Sequence, residues 1–167
     1  MTSSSFDLGG VDRITVGTVG EPGRRVFYLQ AVSGGEVVSL KLEKQQVAAL
    51  VTYLATLLSD LPAPGPLPTE LDLIEPVMPE WVVGALGVSY DETTDRILVQ
   101  AEELMEEETD DGATARFLAT REQVAALAAW GAEVISAGRP PCPLCGQPLD
   151  PEGHMCVRLN GHRSQSR

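Results

Sequence analysis

The feature that most constrains the fold is that the chain repeats itself. VGTVG at 16–20 returns as VGALG at 83–87, Gln30-Ala31 as Gln100-Ala101, and KQQVAAL at 44–50 as REQVAAL at 121–127. Alanine-rich helices resemble one another by chance, but three matches in one order favour duplication over coincidence. The offset between copies grows from 67 (16 to 83) to 70 (30 to 100) and 77 (44 to 121), as insertions at two turns of the second copy would produce.

Local chemistry says what the repeated unit is. DRITVGTVG, RRVFYLQAV and EVVSLKLEK are β-rich runs, separated by Glu21-Pro22-Gly23 and by Ser33-Gly34-Gly35. Together they predict a three-stranded antiparallel meander. From Lys44 to Ser59, Val47, Leu50, Val51, Leu54, Leu57 and Leu58 recur at three- and four-residue spacing, which predicts a helix with one buried stripe. LPAPGPLPTE interrupts regular structure and reads as a semi-stiff connector over 61–78. EWVVGALGVSYD, DRILVQAEEL and ATARFLAT then predict three more strands, and REQVAALAAWGAEVISAG a second helix.

The expected fold is α+β: two pseudo-symmetric βββα repeats, at about 11–60 and 79–138, packed together as a body over 1–138. A zinc ribbon and basic tail follow over 139–167. One helix cannot cover three strands alone, so the copies should pack on each other and leave a cleft between them. Trp81 and Trp130 could line it, although large aromatics at such positions more often belong to a core.

All three cysteines fall within CPLCGQPLDPEGHMC, residues 142–156. Three clustered thiols in a reducing compartment point to metal rather than to disulfides. Cys142 and Cys145 form the Cys-x-x-Cys half of a site whose other half must come from His154, Cys156 and His162, the remaining candidates in the chain. The simplest tetrahedral set is Cys142, Cys145, His154 and Cys156, and pairing Cys156 with His162 is the alternative. Such a set leaves no open position on zinc, so the expected role is structural.

The rest of the chain offers little for catalysis. Both histidines stand in the zinc segment, which excludes a Ser-His-Asp or Cys-His device from the body. VGTVGEPG precedes a strand and matches neither the dinucleotide nor the P-loop pattern. The acidic run EELMEEETDDG, 102–112, could bind magnesium or supply an acid–base pair, but it stands where a solvated hairpin loop is ordinary.

The formal net charge is −12, from 24 acidic and 12 basic residues, which repels phosphate backbones and makes nucleic acid a poor partner. Four arginines against Asp150 and Glu152 give residues 139–167 a charge of +2, leaving −14 on the body. The 43 % hydrophobic content suffices for a core. No apolar run approaches the roughly 20 residues a bilayer requires, and MTSSSFDLGGVDR lacks the basic and apolar regions of a secretory signal. The expected location is cytoplasmic.

TVGTVGEPGRRVFYLQA, LEKQQVAAL and CPLCGQPLDPEGHMCVRLNGHR together resemble an uncharacterised actinobacterial family, a domain of unknown function described as a zinc-ribbon-bearing or repeat protein. That family commonly has Cys-Pro-Arg where this chain has Cys156-Val157-Arg158, a departure that leaves the ligands intact. The resemblance implies genes beside those of a histidine-type phosphatase and of a protein with a lipid-kinase-like fold. It implies no activity. Two function classes follow: a non-catalytic zinc-binding adaptor or regulator that docks a protein partner, or an enzyme or ligand-binding protein acting on a phosphorylated small molecule in the inter-repeat cleft.

Overall fold

The computed structural model describes residues 3–21, 23–107, 111–137 and 143–145. Within them are β1 (Phe6–Leu8), β2 (Arg13–Val19), β3 (Val26–Ser33), β4 (Glu36–Leu42), α1 (Lys44–Ser59), β5 (Pro79–Asp91), β6 (Arg96–Glu103), β7 (Thr114–Ala119) and α2 (Arg121–Ser136). The fold is α+β, as expected, and each anticipated strand and helix is found. β1 is an addition, drawn from a start that reads as polar. Among the described residues no helix is long and apolar enough to cross a membrane.

Turn and cap chemistry set the element boundaries. Gly34 and Gly35 have φ of 57° and 87°, the left-handed pair that a two-residue hairpin between Ser33 and Glu36 requires. At the start of α2, Thr120 Oγ1 accepts from Gln123 N–H (3.0 Å) while Gln123 Oε1 accepts from Thr120 N–H (2.9 Å), a reciprocal capping box. Gln46 does the same for α1, its Oε1 accepting from Glu43 N–H at 2.8 Å.

The strands form one sheet in the order β1-β7-β6-β5-β4-β3-β2. Its pairs are antiparallel except β4 with β5 and β1 with β7, which are parallel. β1 and β2 stand at opposite ends of that order, yet only residues 9–12 separate them. Val11 N–H donates to Leu118 O beyond one end (2.9 Å) and Asp12 N–H to Val32 O beyond the other (2.7 Å), so the sheet curls until its ends meet. β5 plays the matching part at the middle. Its first residues pair with β4 and the rest with β6, and irregularities at Pro79–Val82 and Val83–Ala85 bend it from one neighbour to the next.

Both helices cover the inner face, packed on each other, with α1 against β5 and α2 against β2. That face is apolar at period two: Phe27, Leu29 and Ala31 on β3 and Ile97, Val99 and Ala101 on β6 are all buried. Val47, Leu50 and Leu54 of α1 and Val124, Leu127 and Val134 of α2 complete the core. Each large apolar side chain so buried contributes about 1.5–3 kcal/mol relative to exposure.

The capping glutamines also lock the halves together. Gln46 Nε2 donates to Val83 O (3.0 Å) and reaches Gly84 O at 3.5 Å; Gln123 Nε2 donates to Val11 O (2.9 Å) and Asp12 O (3.2 Å). Each helix thus grips backbone of the other half, α1 at β5 and α2 at the link between β1 and β2, at positions 72 apart in sequence (11 to 83, 12 to 84).

The connector 61–78 differs from the expected spacer. Arg121 holds Pro62 O (2.8 Å), Glu122 accepts from Gly65 N–H (2.8 Å), and residues 71–74 lie flat on the outer face of β2 and β3. It is a docked strap, held mainly through its backbone.

Candidate functional site

Of the metal ligands expected from sequence, Cys145 is described and half-buried; Cys142, His154 and Cys156 lie outside the described residues, as does the alternative His162. Among the described residues no group of three or more His, Cys, Asp and Glu side chains could hold a metal ion.

The acidic run divides. Glu108 and Asp110 lie outside the described residues, while Glu103 has a structural task. One carboxylate oxygen accepts from Ala113 N–H (3.0 Å) and the other from Ser3 Oγ (2.7 Å). The Ala113 bond, and after it the Ser3 bond, hold its pKa below the usual carboxylate range. A carboxylate tied in this way serves as a latch on the β6–β7 loop rather than as half of an acid–base pair.

A groove of about 710 Å³ runs between β2, the strap and the C-terminal half of α2. Trp130 lines it and donates its indole N–H to Val16 O (2.9 Å), while Trp81 is buried and donates to Ser4 O (2.8 Å). The charges of the groove do not suit a phosphate. Among the described residues that line it Arg25 is the one cation, already donating to Val134 O (3.0 Å) with its guanidinium 5.2 Å from the Phe27 ring centre, and it stands among Asp72, Glu75 and Glu133.

The most informative contrast lies on the outer face of the sheet. Across β2, β3 and β4 a polar row runs Thr15, Gln30, Ser39, each 2 % exposed. The strap covers the row and satisfies it. Gln30 Oε1 accepts from Ile74 N–H (2.7 Å), its Nε2 donates to Ile74 O (3.1 Å) and Ser39 Oγ (3.0 Å), and Thr15 Oγ1 donates to Leu71 O. Beside it Gly17 admits Leu73, whose Cγ would stand 2.6 Å from a Cβ at that position.

Across β5, β6 and β7 the corresponding row runs Gly87, Gln100, Arg116. Gln100 is half-buried, and its oxygen meets Arg116 at a long 3.5 Å. Among the described residues nothing lies within 4 Å of where a Gly87 Cβ would stand, and a groove of about 350 Å³ runs over Ala85–Ser89, Gln100 and Glu102. Tyr90 closes the far end of β5. Its hydroxyl donates to Asp95 (2.7 Å), which raises the tyrosine pKa and lowers that of Asp95, and Asp95 also pairs with Arg121 at 3.5 Å.

Sequence reasoning found Gln30 and Gln100 only as markers of the repeat. The signal for more was an amide in the middle of an apolar strand, VFYLQAV, which has to be satisfied by something laid over it.

A family model described as protein of unknown function (DUF3090) matches residues 6–156, and the chain belongs to that family. Neither a curated protein nor a solved structure matches it.

Proposed function

We propose that this member of the DUF3090 family is a non-catalytic, zinc-binding adaptor or regulatory protein that docks a protein partner. The observation that carries the reading is the unequal covering of two like surfaces among the described residues: one outer face is closed by the strap, while its counterpart over Gly87 and Gln100 offers an open groove. An enzyme of phosphorylated small molecules is less well supported, because among the described residues the groove between the halves sets one engaged arginine among three carboxylates.

The body is read as two copies of a βββα unit, and four relations support this. Gln46 and Gln123 make matching bonds at a spacing of 72. The parallel pairs Asp7 with Arg116 and Pro79 with Ser39 repeat that spacing (7 to 79) and add one of 77 (39 to 116). The helices also start 77 apart (44 to 121), and the ladders through Gln30 and Gln100 return 77 between Ser39 and Arg116. The VGTVG match, at 67, falls five residues out of the 72 register, so valine–glycine composition and not ladder position made it. On this reading the first unit begins with β1, before residue 11.

Residues 139–167 are read as a ribbon around one structural zinc, held by Cys142, Cys145, His154 and Cys156. On this reading the protein works in the cytoplasm of an actinobacterium, and its partner is the phosphatase or kinase-like protein whose gene the family resemblance sets nearby. Opposite charges on body and tail would steer such an encounter.

The test is calorimetric titration of the intact, metal-loaded chain with each of those two proteins. Saturable binding that weakens as salt rises is the expected result. Turnover of a phosphorylated metabolite by the pure chain, abolished by alanine at Glu106, Glu107, Glu108, Asp110 and Asp111, would overturn the adaptor reading.

A further inference from the structure

We infer that the groove along β5 and β6 is a docking site for an extended, basic segment of a partner protein, with the Gln100 carboxamide pairing with its backbone as Gln30 pairs with Ile74. The inference rests on the adaptor reading and gives the partner a chemistry.

The chemistry is taken from the occupied face. A carboxamide that accepts from the N–H and donates to the C=O of one residue, as Gln30 does with Ile74, recognises the peptide group itself. It therefore requires an extended chain and tolerates many side chains. Gln100 stands at the same place in its ladder, flanked by Gly87 and Arg116 as Gln30 is flanked by Thr15 and Ser39. Its carboxamide has only the 3.5 Å approach of Arg116, and Gly87 leaves open space beside it.

Charge then selects the occupant. The strap is acidic, with Glu70, Asp72 and Glu75, and Arg13 at the margin of its face donates to Asp72 O (2.6 Å). Arg13 is paired with Val32, two residues beyond Gln30; two residues beyond Gln100 the pair is Ala85 with Glu102. Ala85 thus stands in the place of Arg13 and Glu102 in that of Val32, while Arg116, in the place of Ser39, is turned to the Gln100 oxygen. Among the described residues that line the groove the one charge is that of Glu102, so the segment that fits is basic over it. The chain's own sequence does not supply it at the matching distance. Ile74 comes fifteen residues after Ser59, and fifteen after Ser136 stands Pro151, between Asp150 and Glu152, whose charges repeat that of Glu102.

The test uses the full-length, isotope-labelled chain. The probe is an octapeptide repeating residues 69–76 with lysine at its three acidic positions. In NMR titration at low salt, the Gln100 side-chain amide and the backbone amides of Gly87 and Ser89 should shift saturably. Affinity should fall about tenfold in Gln100→Ala, and Glu102→Lys should reverse the preference toward the unmodified acidic octapeptide. Equal binding of both peptides by the unaltered chain overturns the charge argument, and shifts confined to Gly17 and Gln30 overturn the site. Nuclear Overhauser contacts from the Gln100 side-chain amide to a further segment in the chain alone overturn it as well: constant on dilution, they identify an internal occupant, and falling on dilution, a second copy. If no peptide binds while the calorimetric partner still does, the groove is wrong and the adaptor reading survives.

Discussion

Replacing Gln30 and Gln100 by alanine, one at a time, separates a surface that is filled from one that is open. Gln30→Ala removes three hydrogen bonds at a site 2 % exposed and leaves the Ile74 N–H, the Ile74 C=O and Ser39 Oγ short of a partner. A buried orphan costs about 1–3 kcal/mol. Ile74 itself is 37 % exposed, so water reaches part of its backbone and the low end of that range applies to each group. The expected total is about 2–4 kcal/mol, a fall in Tm of about 5–15 °C for a chain of this length. Gln100→Ala removes a single 3.5 Å contact and should stay within about 0.5 kcal/mol.

Urea unfolding followed by fluorescence of Trp81 and Trp130 measures both variants, and an unchanged m-value licenses the comparison. Thr15→Val provides an internal check. Thr15 and Gln30 hold the same strap through Leu71 and Ile74, so the double variant should lose less than the sum of the two. Equal losses at Gln30 and Gln100, or additive losses at Thr15 and Gln30, would show that the strap does not act as one docked element.

The purified chain is expected to hold one zinc, released by serine at Cys142, Cys145 or Cys156 and retained in His162→Ala; metal analysis showing retention in all three cysteine variants would remove the site, and release by His162→Ala with retention by His154→Ala would move the fourth ligand. Leu50→Ala and Leu127→Ala, each 1 % exposed and 77 apart, should each cost about 2–5 kcal/mol in denaturant unfolding, and a cost below 1 kcal/mol at either would deny it an equivalent place in the core. The Gly65 N–H holds the Glu122 carboxyl below its ordinary pKa, so the folded value is the lower one: its stabilising effect is present above the unfolded value of about 4.3 and is lost as pH falls through the folded value. The Gly65 amide resonance should report that low midpoint, and a midpoint at or above the ordinary value would contradict the assigned bond.

Much of the fold was legible because its elements are local. Apolar residues at three- and four-residue spacing mark α1 and α2, and Gly34-Gly35 marks a hairpin whatever surrounds it. β1 was not legible: its three residues carry no periodicity, and its partners at 115–117 are more than a hundred residues away. Nor was the strap, whose prolines describe a stiff extended chain but whose binding runs through the carbonyls of residues 71, 72 and 74. Side-chain patterns cannot report backbone contacts made to another element. The same limit hid the open groove, which is visible only when Gln100 is set beside Gln30 in the ladder.

The way the halves interlock also indicates where they are free to differ. β1 of the first half pairs with β7 of the second, β5 of the second with β4 of the first, and each capping glutamine bonds the backbone of the opposite half. Either half alone would lose both parallel pairings and leave the amide group of its capping glutamine without its acceptor, so neither is a separate folding unit. The inner faces are bound by the same constraint, because α1 and α2 must fill one shared core. Only the outer faces escape it. There, the ladder positions of Thr15, Ser39 and Arg13 carry Gly87, Arg116 and Ala85 in the second half, while the glutamine between them is the same. On the duplication proposed above, one copy of that surface stabilises the fold by binding the strap, which relieves the other of the task and leaves its glutamine available to a partner.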